Sequence, residues 1–187
     1  MKSHAFALVL VGGLATGCSP LAVQNQGDAA FRKAITAQLG GDEERAETEY
    51  RRVIALGLNW SPVWNNLAVI MVHRHQYRVA RKMLASAVAA NDRDVVALTN
   101  YGVMSYYLAD LREAERTLLG ARHLRQENLE HFPTNGRTDW GAEHYARVTA
   151  QLDELATRYL DKIARSEVSA SPPPDGEFIA ELTGHRL

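Results

Sequence analysis

The sequence has a single cysteine, Cys18, so no disulfide can form within the chain. It has no basic excess either: its formal net charge is −1 at pH 7, whereas a nucleic-acid-binding protein needs a basic face. After Cys18 no apolar run approaches the roughly 20 residues that a membrane-spanning helix requires. Helix-forming residues dominate between a few glycine- and proline-containing stretches, which predicts a mostly α-helical chain.

Catalytic and metal-binding motifs are also lacking: we find no phosphate-binding loop, nucleophile elbow or paired metal motif. His73 and His75 are two residues apart on a predicted helix end, so their side chains point in different directions and suit a shared metal poorly. The acidic stretch DEERAETEYRR is typical of a solvated helix face. We therefore predict a protein that is not an enzyme and has no cofactor. The alternative is a hydrolase built from histidines and acids of the C-terminal helix.

The N-terminus has the pattern of a secretory signal peptide over residues 1–17. Lys2 supplies a positive charge, and an unbroken apolar run follows from Ala5 to Ala15. Small residues then precede Cys18, as a signal peptidase requires. Two alternatives are a signal peptide that contains a cysteine by chance and a buried N-terminal helix.

The segment ATGC, which ends at Cys18, resembles the lipobox of bacterial lipoproteins. The resemblance implies that Cys18 carries a diacylglyceryl thioether and an acylated amine after cleavage of the signal peptide. Ser19, not Asp, follows Cys18, and the resemblance then implies that the protein is sorted to the outer membrane and faces the periplasm. Residues 18–26 are then expected to be a linker.

Similar residues recur at a constant spacing through the middle of the chain. The spacing divides this part into three rows of equal length, 27–60, 61–94 and 95–128, and the length of one row is the repeat period. Equivalent places hold small residues, where two helices touch closely, or large residues that fill the gap alongside. The four sets are Ala46, Ala80, Ala114; Ala34, Ala68, Gly102; Tyr50, Leu84, Leu118; and Val53, Ala87, Ala121. Each row has two halves with helical spacing, which predicts three helical hairpins. An ordinary helical bundle without repeats is the alternative.

These rows resemble the tetratricopeptide repeat. Row two matches best, with signature residues Trp64, Leu67, Ala68, Tyr77, Ala80, Leu84 and Ala87. Row one departs from the pattern at Lys33, where an apolar residue is usual. All three rows lack the proline that is usual late in the repeat, and have Leu58, Asp92 and Gln126 in its place. The resemblance implies an all-α solenoid of about three helix-turn-helix repeats.

After the repeats, the second helix of row three is predicted to continue to His131, where FPTNGRT interrupts it. A long amphipathic helix follows from Trp140 to about Arg165. Residues 129–165 thus form a loop and a helix that caps the apolar end of the array, or alternatively a helix whose apolar face docks a partner. Residues 166–187 read as a proline-rich flexible tail. The final FIAELTGHRL is either a short docking helix or a frayed end.

The resemblance also implies a binding function, because the first helix of each tetratricopeptide repeat lines a groove for a peptide or helix of another protein. Asn66 and Asn100 hold equivalent places, and an amide can pair with a ligand's backbone. The residues that would line the groove are Asn65, Asn66, Val69, Val72, His73, Thr99, Asn100, Val103, Tyr106 and Tyr107. Paired lysines and arginines of a carboxylate clamp are missing, so a preference for acidic C-termini is not supported.

Lipoproteins of this build resemble the assembly factors of type IV and Flp/Tad pili, which help secretin rings to form or localise. The expected function is therefore an outer-membrane-anchored scaffold or adaptor that binds another envelope protein in pilus or secretion-system assembly. We expect no nucleic-acid partner and no small-molecule substrate. The alternatives are an envelope adaptor that regulates cell-wall hydrolases and, if Cys18 is not lipidated, a periplasmic chaperone.

Overall fold

The computed structural model describes residues 19–131, 140–167 and Phe178, and these form seven helices and no strand. The helices are α1 (Pro20–Leu39), α2 (Glu43–Ala55), α3 (Ser61–His73), α4 (Tyr77–Ala90), α5 (Val95–Tyr107), α6 (Leu111–His131) and α7 (Trp140–Ala164). The prediction of an all-α chain is confirmed. Within those ranges, none of the helices has the length and apolar character to cross a membrane. Residues 1–18, which include the predicted signal peptide and Cys18, lie outside the described part.

The first six helices pack as three hairpins, α1 with α2, α3 with α4, and α5 with α6. All three hairpins have the same turn, closed by a backbone hydrogen bond in which the N–H of one residue reaches the C=O five residues earlier. The bonds are Asp42 to Ala37 (2.9 Å), Gln76 to Met71 (2.8 Å) and Asp110 to Ser105 (2.9 Å). The turn therefore recurs with the period of the sequence repeat.

One residue of each turn lies in the left-handed region of backbone space, and again the three are one repeat period apart. They are Gly41 (φ 79°), His75 (φ 57°) and Ala109 (φ 61°). Only glycine adopts this region without backbone strain. The first turn, with Gly41, is therefore unstrained, whereas His75 and Ala109 impose a conformational free-energy cost on the second and third. Their common geometry is imposed by the packing of the helices on either side of the turn.

The repeated small and large residues are all buried where the helices of a hairpin meet. Ala46, Ala80 and Ala114 have no exposed surface, and neither have Tyr50, Leu84 and Leu118. Gly102 shows why one position is glycine, because a Cβ there would lie 2.6 Å from Cγ of Leu118. The burial expected of the repeated small residues is present in every hairpin.

The N-terminal helix is longer than the sequence pattern indicated. Residues 18–26 are expected to be a linker, but α1 begins at Pro20 and is helical through that stretch. Ser19 caps the helix, with its hydroxyl accepting a hydrogen bond from Ala22 N at 3.2 Å. Proline favours the first helical position because its fixed φ suits the helix and its missing N–H has no partner there. This local signal identifies the start that periodicity alone missed.

The C-terminal helix α7 packs against α5 and α6 and has the bounds expected from its apolar spacing. Leu152, Leu155, Ala156 and Tyr159 are buried, and Arg122 of α6 bonds Asp153 at 3.0 Å. The predicted loop of residues 132–139 lies outside the described part. So does the predicted flexible tail, apart from its first two residues and Phe178.

Candidate protein-binding face

The structure buries most of the residues predicted to line an open groove on α3 and α5. Eight of the ten have at most 6% of their surface exposed: Asn65, Asn66, Val69, Val72, Thr99, Asn100, Val103 and Tyr106. A ligand contacts a side chain only through exposed atoms. The structure therefore makes these eight residues part of the protein core, and the predicted groove is not open at their positions.

The buried asparagines belong to a hydrogen-bonded chain that crosses all three hairpins. Asn100 donates to Asn65 (2.8 Å), Asn65 to Asn66 (3.3 Å), Asn66 to the Tyr50 hydroxyl (2.9 Å), and Tyr50 to Gln38 (2.8 Å). Burying a polar group without a hydrogen-bond partner is costly, so the protein must satisfy such groups internally. The asparagine amides that were predicted to bond a ligand's backbone instead form hydrogen bonds with other side chains of the protein.

Side chains of α7 and the residues after it cover the α5 part of this face. The Tyr159 ring packs edge-on against Tyr106, with ring centres 4.9 Å apart, and its hydroxyl lies 2.6 Å from that of Tyr107. The ammonium of Lys162 lies 4.5 Å from the centre of the Tyr159 ring. Tyr106 donates a hydrogen bond to the backbone carbonyl of Glu167 at 2.7 Å. The face is thus closed by aromatic packing rather than left open.

Phe178 contributes to the same apolar core. Only 7% of its surface is exposed, and it belongs to one contiguous cluster with Val69, Val72 and Val103. The sequence left the role of this C-terminal stretch undecided. Phe178 is the one aromatic residue of the predicted tail and stands next to Ile179, and this was the available signal, because an aromatic side chain gains most from burial against a packed face.

Two predicted groove residues remain reachable, at the last turns of α3 and α5. The side chain of His73 is 43% exposed, and Tyr107 is half-buried. They are one repeat period apart and hold equivalent places in their hairpins. We call these two residues the rim, because they border a face whose base is buried.

Ion pairs connect successive hairpins beside the rim. Arg74 pairs with Glu47 and Arg81 with Asp110, and the His73 ring is hydrogen-bonded to the Glu43 carboxylate. Burial alone raises the pKa of Glu47, but hydrogen bonds and charges from Arg51 and Arg74 outweigh it, so its pKa lies below the usual value. A partner at the rim would meet side chains already fixed by these pairs.

No grouping of three or more potential metal ligands occurs in the part of the chain that the structure describes. No protein-family model and no curated protein matches the chain. The resemblances to tetratricopeptide repeats and to bacterial lipoproteins therefore stay predictions that depend on this sequence and its geometry alone.

Proposed function

We propose that the protein is a tetratricopeptide-type solenoid, anchored in the outer membrane through Cys18, that holds another envelope protein during pilus or secretion-system assembly. The observation that carries this proposal is the recurrence of one hairpin turn at Asp42, Gln76 and Asp110, with equivalent buried residues in each hairpin. Stacked hairpins of this kind use extended surfaces for binding rather than a catalytic pocket.

The partner is proposed to dock along the rim and not in the buried base. Tyr107 offers apolar area with a polar tip, a combination that protein interfaces favour. His73 and its hydrogen-bond partner Glu43 add a polar contact beside it. Since both helices present equivalent positions, an extended segment lying across the hairpins can contact the two in succession.

The membrane anchor is a separate part of the proposal. Only Ser19 separates Cys18 from the start of α1, so a lipid on Cys18 would hold the first hairpin close to the bilayer surface. Incorporation of labelled palmitate into the wild-type chain, and its loss in Cys18→Ser, would support the anchor. A soluble periplasmic protein with no label would favour the chaperone alternative.

The docking surface is tested by a photo-crosslinking amino acid placed at His73 in living cells. We expect a crosslinked product with one envelope protein, identified by mass spectrometry. The same amino acid at Leu119, half-exposed on α6, is the matched control and should give no such product. Secretin or pilus subunits would support the proposal, and cell-wall hydrolases would favour the adaptor alternative. Equal products from both positions would contradict rim docking.

A further inference from the structure

Helix α1 exposes two large apolar side chains on one line. Leu21 is 69% exposed and Leu39 is 65% exposed. Their separation in the sequence is a whole number of helical turns, at about 3.6 residues per turn, so they point in the same direction about 27 Å apart along the axis. One exposed leucine needs no explanation, but two aligned at opposite ends of a helix define an edge with apolar ends, here called the apolar edge; Asp28 also lies about 20° from it.

Three basic side chains of the first hairpin form no ion pair with any residue that the structure describes. Arg32, Lys33 and Arg45 line one open depression between α1 and α2. Across residues 19–131 and 140–167, none of the three has a carboxylate within ion-pair distance, whereas Arg74 of the second hairpin has one. The one acid in the depression, Asp42, caps α2 by accepting a hydrogen bond from the Arg45 backbone N–H at 3.0 Å.

Arg32 also lies on the apolar edge itself. Its distance from Leu21 along the helix places it about 20° from the line of the two leucines. Apolar residues next to unpaired cations are typical of helices that lie in the surface of a bilayer, with the leucines in the boundary region and the cations on the phosphates. We name Leu21, Arg32, Lys33, Leu39 and Arg45 the basal face.

We propose that the basal face binds an anionic phospholipid surface, so that α1 lies flat on the membrane. This proposal rests on the proposed function, because the lipid on Cys18 is what brings α1 to the bilayer. Charge complementarity supports a lipid surface as the occupant, since each basic residue near an anionic surface improves partitioning about fivefold. A flat α1 fixes the orientation in which the later hairpins face the periplasm.

Thr36 provides the test of orientation, because it is exposed and about 60° from the line of the leucines. A helix standing upright would hold Thr36 about 24 Å beyond Pro20, outside the headgroup region. The lipidated Thr36→Cys protein is labelled with a fluorophore and reconstituted in phosphatidylglycerol-containing vesicles that carry nitroxide lipids. We expect strong quenching, and little quenching for the same label at Leu119→Cys on α6.

The contribution of charge is tested in the labelled Thr36→Cys protein. Substituting Arg32, Lys33 and Arg45 by glutamate should abolish most of the quenching, as should vesicles of neutral phosphatidylcholine. The matched control makes the same change at three exposed basic residues of α4 and α6 and should leave quenching unchanged. These are Arg78, Lys82 and Arg112. Equal losses in both triple variants would overturn the proposal.

The intact mass of the labelled protein separates failure of the anchor from failure of the basal face. One label per chain shows that Cys18 is acylated, and absent quenching at Thr36 in that sample would overturn the proposal.

Two labels show a free Cys18, so the anchor fails. The Cys18→Ser, Thr36→Cys protein is then mixed with the same vesicles, and quenching would still support the basal face. If the fluorophore at Thr36→Cys becomes shielded from solvent in the absence of lipid, and more so at higher protein concentration, the basal face binds a second copy of the chain instead.

Discussion

The first helices of the hairpins use equivalent positions in opposite ways. Arg32, Asn66 and Asn100 are each one repeat period apart, yet Arg32 is exposed while the two asparagines have no exposed surface. The next position repeats the contrast, with Lys33 exposed and Leu67 fully buried. The difference arises because α3 and α5 pack against a preceding hairpin, whereas no described helix precedes α1.

This comparison explains why row one departs from the tetratricopeptide signature at Lys33. The first hairpin of an array needs a polar outer face where no other hairpin covers it, and no described helix precedes α1. Leu21 and Leu39 do not fit that need, and they are the residues that a simple solvent-facing cap does not explain. The need for a polar outer face therefore explains Lys33, whereas the exposed leucines require a different explanation, such as binding to another surface.

The largest difference is expected at the position shared by Lys33 and Leu67. Leu67→Ala should lower the free energy of unfolding by about 2–5 kcal/mol, because it removes buried methyl groups and leaves a cavity. Lys33→Ala should change it by less than about 0.5 kcal/mol, as for other surface substitutions. Urea denaturation followed by circular dichroism measures both. Similar values for the two variants would contradict the assignment of α1 as the uncovered end.

The adjacent position gives a smaller but clear difference. Asn100→Ala removes the donor to Asn65 inside the buried amide chain and should cost about 1–3 kcal/mol. The equivalent Arg32→Ala should be nearly neutral. The double substitution of Asn66 and Asn100 by alanine, the two amides predicted to pair with a ligand's backbone, is expected to destabilise the fold. A double variant of wild-type stability that still loses its partner would favour the ligand-binding role.

Much of the fold could be predicted because the repeat period records contacts that every hairpin makes. Ala46, Ala80 and Ala114 sit where helices must approach closely, so the requirement appears in the sequence itself. The start of α1 was missed because its first turn adds no repeat residue and is marked only by the Ser19–Pro20 cap.

The candidate site was harder to predict because exposure depends on parts of the chain far apart in sequence. Nothing near Asn100 indicates that Asn65 completes its hydrogen bond, and nothing near Tyr106 indicates that α7 and Glu167 cover it. A resemblance identifies the helix face that binds ligands in other repeat proteins. It does not reveal that this chain closes the face with its own C-terminal residues.

The ion pair between the first two hairpins predicts a modest pH effect. The pKa of Glu47 is lowered in the folded protein from its ordinary value of 4.5, so its stabilising contribution is present above pH 4.5 and is lost as pH falls through the lower folded pKa. Glu47→Gln should therefore show a weaker loss of stability over that acidic range. Thermal unfolding between pH 3 and pH 6, about one unit or more either side of the ordinary value, measures the effect. The matched variant Glu44→Gln, on the exposed side of α2, should keep the wild-type profile.

The smallest effect is expected when row one is given the apolar signature residue that it lacks. Lys33→Leu restores the repeat pattern, but leucine stabilises only where it can be buried. Because Lys33 is exposed on α1, the free energy of unfolding should change by less than about 0.5 kcal/mol. Urea denaturation tests this, with Leu67→Lys as the reciprocal control that should unfold much more readily. A stabilisation above about 1 kcal/mol would show that position 33 packs as Leu67 does, because burying a leucine is worth about 1.5–3 kcal/mol. In that case α1 would not be the uncovered end of the stack, and its cations would need another explanation.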